Sequence, residues 1–381
     1  MNARTATWVR TGRVRGGNNG GVRVAITVEQ CWHRVPGGTA VAACRVIEEL
    51  KRQADLDLVG VAAWHRQPPG ETFDPAVPVL HLPLPAPLMY DLWARVQIPR
   101  IEWTMRSVDV VHATTILIPP TRKPFVVTVH DLAFLHDPAM FTARGSGLFR
   151  RSLELIKGHA DLVLCSSLAT LDDCATAGIP TDRLRHVPLG ADAVRPVAVA
   201  ELAEVRSRLG LLKPYLLFVG TKEPRKNLSG LLRAFAHLQD GEHDLVVVGP
   251  TGWGDEMTIP SSIAPRVRAL GFLPSDDLAA VYAGAAAFVY PSFREGFGLP
   301  VAEAMAHGTP VVTSRGTSTE EVAGGAAVLI DPNDPADIAR GIAEALADAT
   351  TLAAKGRARA AEMTWAETAR LTRAAYDEVA R

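Results

Sequence analysis

The sequence has few cysteines, no excess of charge of either sign and no long apolar run, and each shortage narrows what the chain can be. Its four cysteines, Cys31, Cys44, Cys165 and Cys174, include no C-x-x-C pair. They suggest neither a zinc site nor a disulfide framework, and they fit a reducing cytoplasm. Lysine plus arginine (40) nearly balance aspartate plus glutamate (41), so no bulk field draws the chain to nucleic acid or acidic membranes. Any anion recognition has to be local. No stretch approaches the roughly 18 apolar residues that a membrane-spanning helix needs. Residues 1–21 carry Arg4, Arg10, Arg13 and Arg15 but no apolar core, so they do not read as a secretory signal and are expected to form a disordered basic tail.

What is present is length and apolar content: 381 residues, 48% hydrophobic, enough for two domains with a core each. From Val22 onward, short runs rich in valine, isoleucine and leucine alternate with segments of helical period, the pattern of an α/β fold with parallel sheets. Expected strands in the first half are 22–28, 57–63, 77–82, 109–112, 125–129, 161–165 and 184–187. The second half restarts the pattern with 214–219, 243–248, 267–271, 287–290, 309–313 and 327–330. This predicts two Rossmann-like, doubly wound domains, 22–192 and 193–363, followed by an amphipathic helix over 364–381 that carries Trp365, Leu371 and Tyr376. Doubly wound sheets bind ligands beyond the carboxyl ends of their strands, so the chemistry is sought in strand-to-helix loops facing a crevice.

Four such loops stand out. After strand 287–290 comes Glu295-Gly296-Phe297-Gly298-Leu299-Pro300-Val301-Ala302-Glu303, with Pro300 suited to a first helical turn and Gly308 to the helix end. Gly296 and Gly298 let backbone N–H groups approach an anion at the positive end of that helix. Glu295 and Glu303 are spaced to grip two parts of one ligand, since a carboxylate accepts from both hydroxyls of a diol. After strand 214–219, Gly220-Thr221-Lys222-Glu223-Pro224-Arg225-Lys226-Asn227 ends in two cations, with Asn227 a candidate N-cap. A departing nucleoside diphosphate builds up negative charge that a metal or fixed cations must hold. Strand 125–129 runs into His130, at the carboxyl end of a parallel strand. The loop Val35-Pro36-Gly37-Gly38-Thr39 follows the first strand but is not G-x-G-x-x-G, which disfavours a hydride-transfer enzyme. Asp55-Leu56-Asp57 spells a D-x-D, but at the wrong end of its strand for a metal site, and no other carboxylate cluster has metal spacing; no metal is expected.

The wording EGFGLPVAE, with the G-x(4)-R-K-N run, resembles family 4 retaining glycosyltransferases of GT-B fold from about Val22 to the end. That resemblance implies transfer of a sugar from a nucleotide diphosphate donor without a metal or cofactor, and a last helix that crosses back to the N-terminal, acceptor-side domain. It assigns the diphosphate to Arg225 and Lys226 with Gly38 close by, the ribose to Glu303, the transferred sugar's hydroxyls to Glu295, and further contacts to main-chain groups of Gly296, Phe297, Gly298 and Leu299. His130 is implied beside the donor sugar, and the base near Gly249-Pro250 and Gly271-Phe272-Leu273. The catalytic set is thus His130, Glu295, Arg225 and Lys226. The stretch VHDLAFLHDP with Arg150 and Arg151 most resembles mannosyltransferases of bacterial polysaccharide synthesis, making GDP-mannose the first donor, ahead of UDP-glucose, UDP-N-acetylglucosamine and dTDP-rhamnose. The implied partners are the nucleotide sugar and a saccharide or lipid-linked acceptor. Two other readings stay open: an epimerase or phosphorylase of the same architecture, and a non-catalytic nucleotide-sugar sensor. Segment 82–106 mixes Leu88, Met89, Trp93 and Ile101 with Arg95, Arg100 and Arg106; a core-facing helix is the reading preferred over a peripheral contact with the inner face of a membrane.

Overall fold

A computed structural model describes residues 21–33, 36–53, 55–192, 194–238, 241–250 and 259–381. The expected basic tail lies outside them except for Gly21, and so does Val35 of the first glycine-containing loop. The chain divides into two compact units: a first that ends at Leu189 and also takes in Trp365–Arg381, and a second, Gly190–Thr364.

The first unit is built on β1 (Val22–Thr27), β2 (Leu56–Ala62), β3 (Val79–His81), β4 (Val110–Ala113), β5 (Phe125–Val129), β6 (Leu162–Cys165) and β7 (Leu184–His186). They form one parallel sheet in the order β3-β2-β1-β4-β5-β6-β7. The second unit carries β8 (Tyr215–Val219), β9 (Asp244–Val248), β10 (Val267–Gly271), β11 (Ala287–Tyr290), β12 (Val311–Ser314) and β13 (Val328–Ile330), parallel in the order β10-β9-β8-β11-β12-β13. Both are doubly wound, as the alternating pattern predicts. Strands such as β6 and β11 are buried at every position, which is why they read as unbroken apolar runs rather than as alternation.

The helix Trp365–Val379 belongs to the first unit. It packs on the helix Gly38–Leu50 and on β5 and β6. The Tyr376 hydroxyl meets His112 Nδ1 of β4 at 2.7 Å, and Thr368 Oγ1 donates to the Pro188 carbonyl at 2.7 Å. The apolar body of the tyrosine is thereby buried without orphaning its hydroxyl.

In segment 82–106, Met89, Trp93 and Ile101 enter the core of the first unit, in keeping with the core-facing reading, while Leu88, Val96, Ile98 and Trp103 stay exposed. The D-x-D sits at the amino end of β2, where Asp57 pairs with Arg23 of β1 at 2.7 Å.

Candidate active site

The strand order of the second unit reverses between β8 and β11, which are neighbours in space though not in sequence. Such a switch point is where doubly wound sheets open a crevice for a ligand. The loops leaving the two strands are stitched together: the Phe293 N–H donates to the Arg225 carbonyl at 2.8 Å, and Asn227 Nδ2 donates to the carbonyls of Pro291 (3.1 Å) and Pro332 (2.7 Å). Asn227 also caps the helix Leu228–His237 by accepting from the Gly230 N–H at 3.1 Å. It does so at φ 55°, a left-handed conformation that asparagine tolerates better than most residues. On the neighbouring strand Gly249 is held to glycine, because a Cβ there would lie 2.1 Å from the Gly220 carbonyl oxygen.

Charge is concentrated where the loops meet. Arg225 spans two buried carboxylates, with Nε 2.9 Å from Glu223 Oε2 and Nη1 2.8 Å from Glu295 Oε2. The other oxygen of Glu295 accepts from the Tyr290 hydroxyl at 2.9 Å and lies 2.9 Å from Ser292 Oγ. Burial pushes the Glu295 carboxyl up, but Arg225, Lys226 and these hydrogen bonds outweigh it and hold it below the ordinary range. Glu223, where burial prevails over the same two cations, is raised. Lys226 is only 9% exposed and lies with Nζ 5.8 Å from the Tyr290 ring centroid. Among the described residues its ammonium makes no hydrogen bond or ion pair within 4.0 Å, although Glu223, Glu295 and Glu303 all feel its charge.

The helix Leu299–Ala306 begins at Gly298, whose φ of 104° and whose closeness to Thr319, 2.7 Å from a would-be Cβ, both require glycine. The side chains of Phe297 and Leu299 are buried, so this turn presents mainly its backbone. Glu303 lies within the helix and accepts from the Tyr282 hydroxyl at 2.9 Å; the Tyr282 ring in turn stacks on His307 with centroids 5.4 Å apart. Burial raises the Glu303 carboxyl, and Asp192 adds to the rise, while Tyr282 and Lys226 offset part of it. Further along the carboxyl edge, the Gly249 N–H donates to the Gly271 carbonyl at 2.8 Å, and Phe272 is largely exposed.

Gly38 and His130 stand in the first unit. Gly38 opens the helix Gly38–Leu50 behind Gly37. His130 follows β5; burial lowers its imidazole, which is therefore neutral at pH 7, while Asp131 and a hydrogen bond to the Thr114 main chain act the other way. It lines a cavity of about 20 Å³ with Ala42, Ala43, His112 and Thr372, room for about one water. Burial pushes His112 down to about 3.

The structure thus brings Arg225, Lys226, Glu295, Glu303 and the turn 296–299 together in the second unit, and places Gly38 at the start of a helix and His130 after β5 in the first. Sequence reasoning missed Glu223, Tyr282, Tyr290 and Ser292, which hold the charged groups in place. Tyr290 was legible only as the last residue of a buried strand; a hydroxyl at that position, beside a charged loop, was the signal. Among the described residues no group of three or more histidine, cysteine, aspartate or glutamate side chains is set to hold a metal.

Two family profiles match the chain: "Glycosyltransferase Family 4" over residues 36–195 and "Glycosyl transferases group 1" over residues 213–348. The chain belongs to glycosyltransferase family 4, and it is a glycosyltransferase. It is 32% identical over 294 residues to O-antigen chain mannosyltransferase B of Escherichia coli, an alignment covering 73% of this chain and 77% of that protein. It is 31% identical over 284 residues to D-inositol 3-phosphate glycosyltransferase of Corynebacterium kroppenstedtii, covering 68% of this chain and 63% of that one. Among solved structures, Anabaena HepE in complex with UDP and glucose shares the GT-B fold at TM-score 0.72 and 18% identity, over 94% of this chain and all (100%) of that one.

Proposed function

We propose that this enzyme is a retaining, metal-independent hexosyltransferase that moves mannose from GDP-mannose to a saccharide or lipid-linked acceptor. The observation that carries the reading is Lys226: a lysine 9% exposed, with no anionic partner in reach among the described residues, at the switch point of a doubly wound sheet. A buried, unpaired ammonium is costly, and a diphosphate satisfies it. In this reading Lys226 and Arg225 hold the diphosphate and stabilise the charge it gains as the sugar leaves, and Gly38 is assigned to the diphosphate as well. Glu303 takes the ribose hydroxyls. A carboxylate offers about four acceptor positions; on Glu295, Arg225 and Tyr290 engage two, and Ser292, whose one proton also faces the Arg225 and Arg294 carbonyls, lies beside a third, which leaves room for a sugar hydroxyl. Main-chain groups of Gly296, Phe297, Gly298 and Leu299 complete the contacts. His130, neutral, donates to or accepts from the transferred sugar. Retention follows if the departing phosphate takes the acceptor's proton on the face it leaves.

The likeness to a mannosyltransferase of Escherichia coli supports mannose as the sugar. Incubation with radiolabelled GDP-mannose, UDP-glucose, UDP-N-acetylglucosamine and dTDP-rhamnose over a panel of saccharide and lipid-linked acceptors tests the donor. Label is expected to move from GDP-mannose. Transfer from another donor alone overturns the choice of nucleotide sugar, and epimerised or phosphorolysed sugar without transfer overturns the reaction.

The raised carboxyl of Glu303 gives a pH test. Its proton binds at higher pH than in the unfolded chain, so it favours folding while protonated and ceases to as pH rises past it. Ribose recognition runs the other way, because only the ionised form accepts from both hydroxyls. GDP affinity measured by calorimetry should therefore fall as pH drops from neutrality through that raised range, by about 10–100-fold for loss of a charge-assisted contact. Glu295, held low, stays ionised there. A Glu303→Gln enzyme should bind GDP more weakly at neutral pH and lose this acid dependence; an identical pH profile in the two would remove Glu303 from the ribose.

A further inference from the structure

The carboxyl ends of β1, β2 and β3 carry a second constellation, built from none of the groups used above. Glu29, just beyond β1, is buried: its side chain is 5% exposed. Its Oε2 accepts from the Ala63 N–H at 2.7 Å, and both its oxygens face His65 Nε2, at 2.9 and 3.0 Å. The His65 ring is therefore fixed in the loop after β2. Trp32 lies flat on it, with centroids 4.9 Å apart and planes 10° from parallel. His81 of β3 meets the same indole edge-on at 5.4 Å, and its Nδ1 donates to the Ala63 carbonyl at 2.7 Å. The indole N–H is committed as well, donating to the Gln67 carbonyl at 2.9 Å.

Trp32 is thus held on one face, along one edge and at its one polar atom by residues of the loop after β2 and of β3, yet it keeps part of its surface in water. A tryptophan kept only for packing is covered, and a loop tryptophan kept for nothing needs no such support. Rigid support behind a partly open aromatic ring is how a binding platform is pre-organised. Trp64, next to His65, is 55% exposed, and His33, next to Trp32, is exposed too, so the rim is wide and mixes flat apolar surface with polar groups. A pyranose fits that character, with a C–H face to lie on an indole and a ring of hydroxyls for a polar rim.

We infer that Trp32, braced by His65, His81 and Gln67 above the buried Glu29, is the platform that binds a pyranose ring of the saccharide acceptor. The inference rests on the glycosyl-transfer reading and names residues for its acceptor. The competing ligand for an aromatic face is the donor's base, and the test separates the two. The full chain and its Trp32→Ala and Trp32→Phe variants are titrated with methyl α-mannoside and with mannobiose, followed by saturation-transfer NMR, and separately with GDP by calorimetry. Wild type binds at least one of the saccharides, Trp32→Ala weakens that binding about tenfold or more, Trp32→Phe falls between, and all three bind GDP alike. The phenylalanine variant keeps a ring on His65, and the unchanged GDP affinity and thermal midpoint guard against simple unfolding. Undiminished saccharide binding in Trp32→Ala overturns the inference, as does a parallel loss of GDP affinity, or wild type that binds neither saccharide at tens of millimolar. Failure of the transfer reading looks different: wild type then neither binds GDP nor transfers mannose, whatever Trp32 does.

Discussion

Replacing Arg225 with alanine is expected to lower kcat/KM for GDP-mannose by about 10²–10³-fold and stability by about 3–5 kcal/mol. Both effects follow from its place between Glu223 and Glu295, whose side chains are only 7% and 9% exposed. Removing the cation leaves two desolvated carboxylates side by side, and breaking a buried pair costs more than the pair is worth. The catalytic loss is separate, because the same guanidinium is proposed to meet the departing diphosphate. Arg225→Lys should recover stability only in part, since a single ammonium cannot bridge both carboxylates as a planar fork does. Combining Arg225→Ala with Glu295→Gln should restore some stability and no activity. Urea unfolding and steady-state kinetics check the two arms independently; an Arg225→Ala enzyme with wild-type kcat/KM would make the arginine a structural ion pair alone.

Lys226→Ala should behave differently. Its ammonium makes no salt bridge among the described residues, so its removal breaks no direct ion pair; Glu223, Glu295 and Glu303 lose only a nearby positive charge, and the alanine variant should be far less destabilised than Arg225→Ala. Activity should nevertheless fall about 10–100-fold, the worth of one charge-assisted contact of about 1.5–3 kcal/mol. A stable, impaired enzyme is the signature of a cation kept for its ligand. A destabilised enzyme with unchanged kcat/KM would mean that Lys226 serves the fold through its contact with Tyr290.

These contrasts mark where the sequence is informative. The thirteen expected strands all form, within about two residues at each end, because buried parallel strands advertise themselves as short unbroken apolar runs. The helix after the second glycine turn starts at Leu299, as expected, and stops at Ala306, just short of the expected Gly308. What the sequence hides is adjacency across the sheet. Arg225 and Glu295 pair because β8 and β11 are neighbours at the switch point, and nothing in their separation along the chain says so. Glu223, between a threonine-lysine pair and a proline, reads as surface until Arg225 is seen to hold it. Tyr282 and Tyr290 read as core, which they are; only the structure shows each hydroxyl reaching one glutamate of the motif. Trp32, His65 and His81 come from three separate segments, after β1, after β2 and in β3, and the cysteines, although far from any C-x-x-C pattern, place Cys31 and Cys44 with sulfurs 3.7 Å apart.

In the proposed function, fixed cations of the second unit take the place that a divalent metal holds in other sugar transfers. Mannose transfer from GDP-mannose, assayed in excess EDTA and then with manganese added back, tests it most directly, with the anomeric configuration of the product read by NMR. Wild type is expected to transfer at the same rate in EDTA, with the α-configuration of the donor retained, and manganese is not expected to rescue Lys226→Ala. Loss of wild-type transfer in EDTA, restored by manganese, would contradict it.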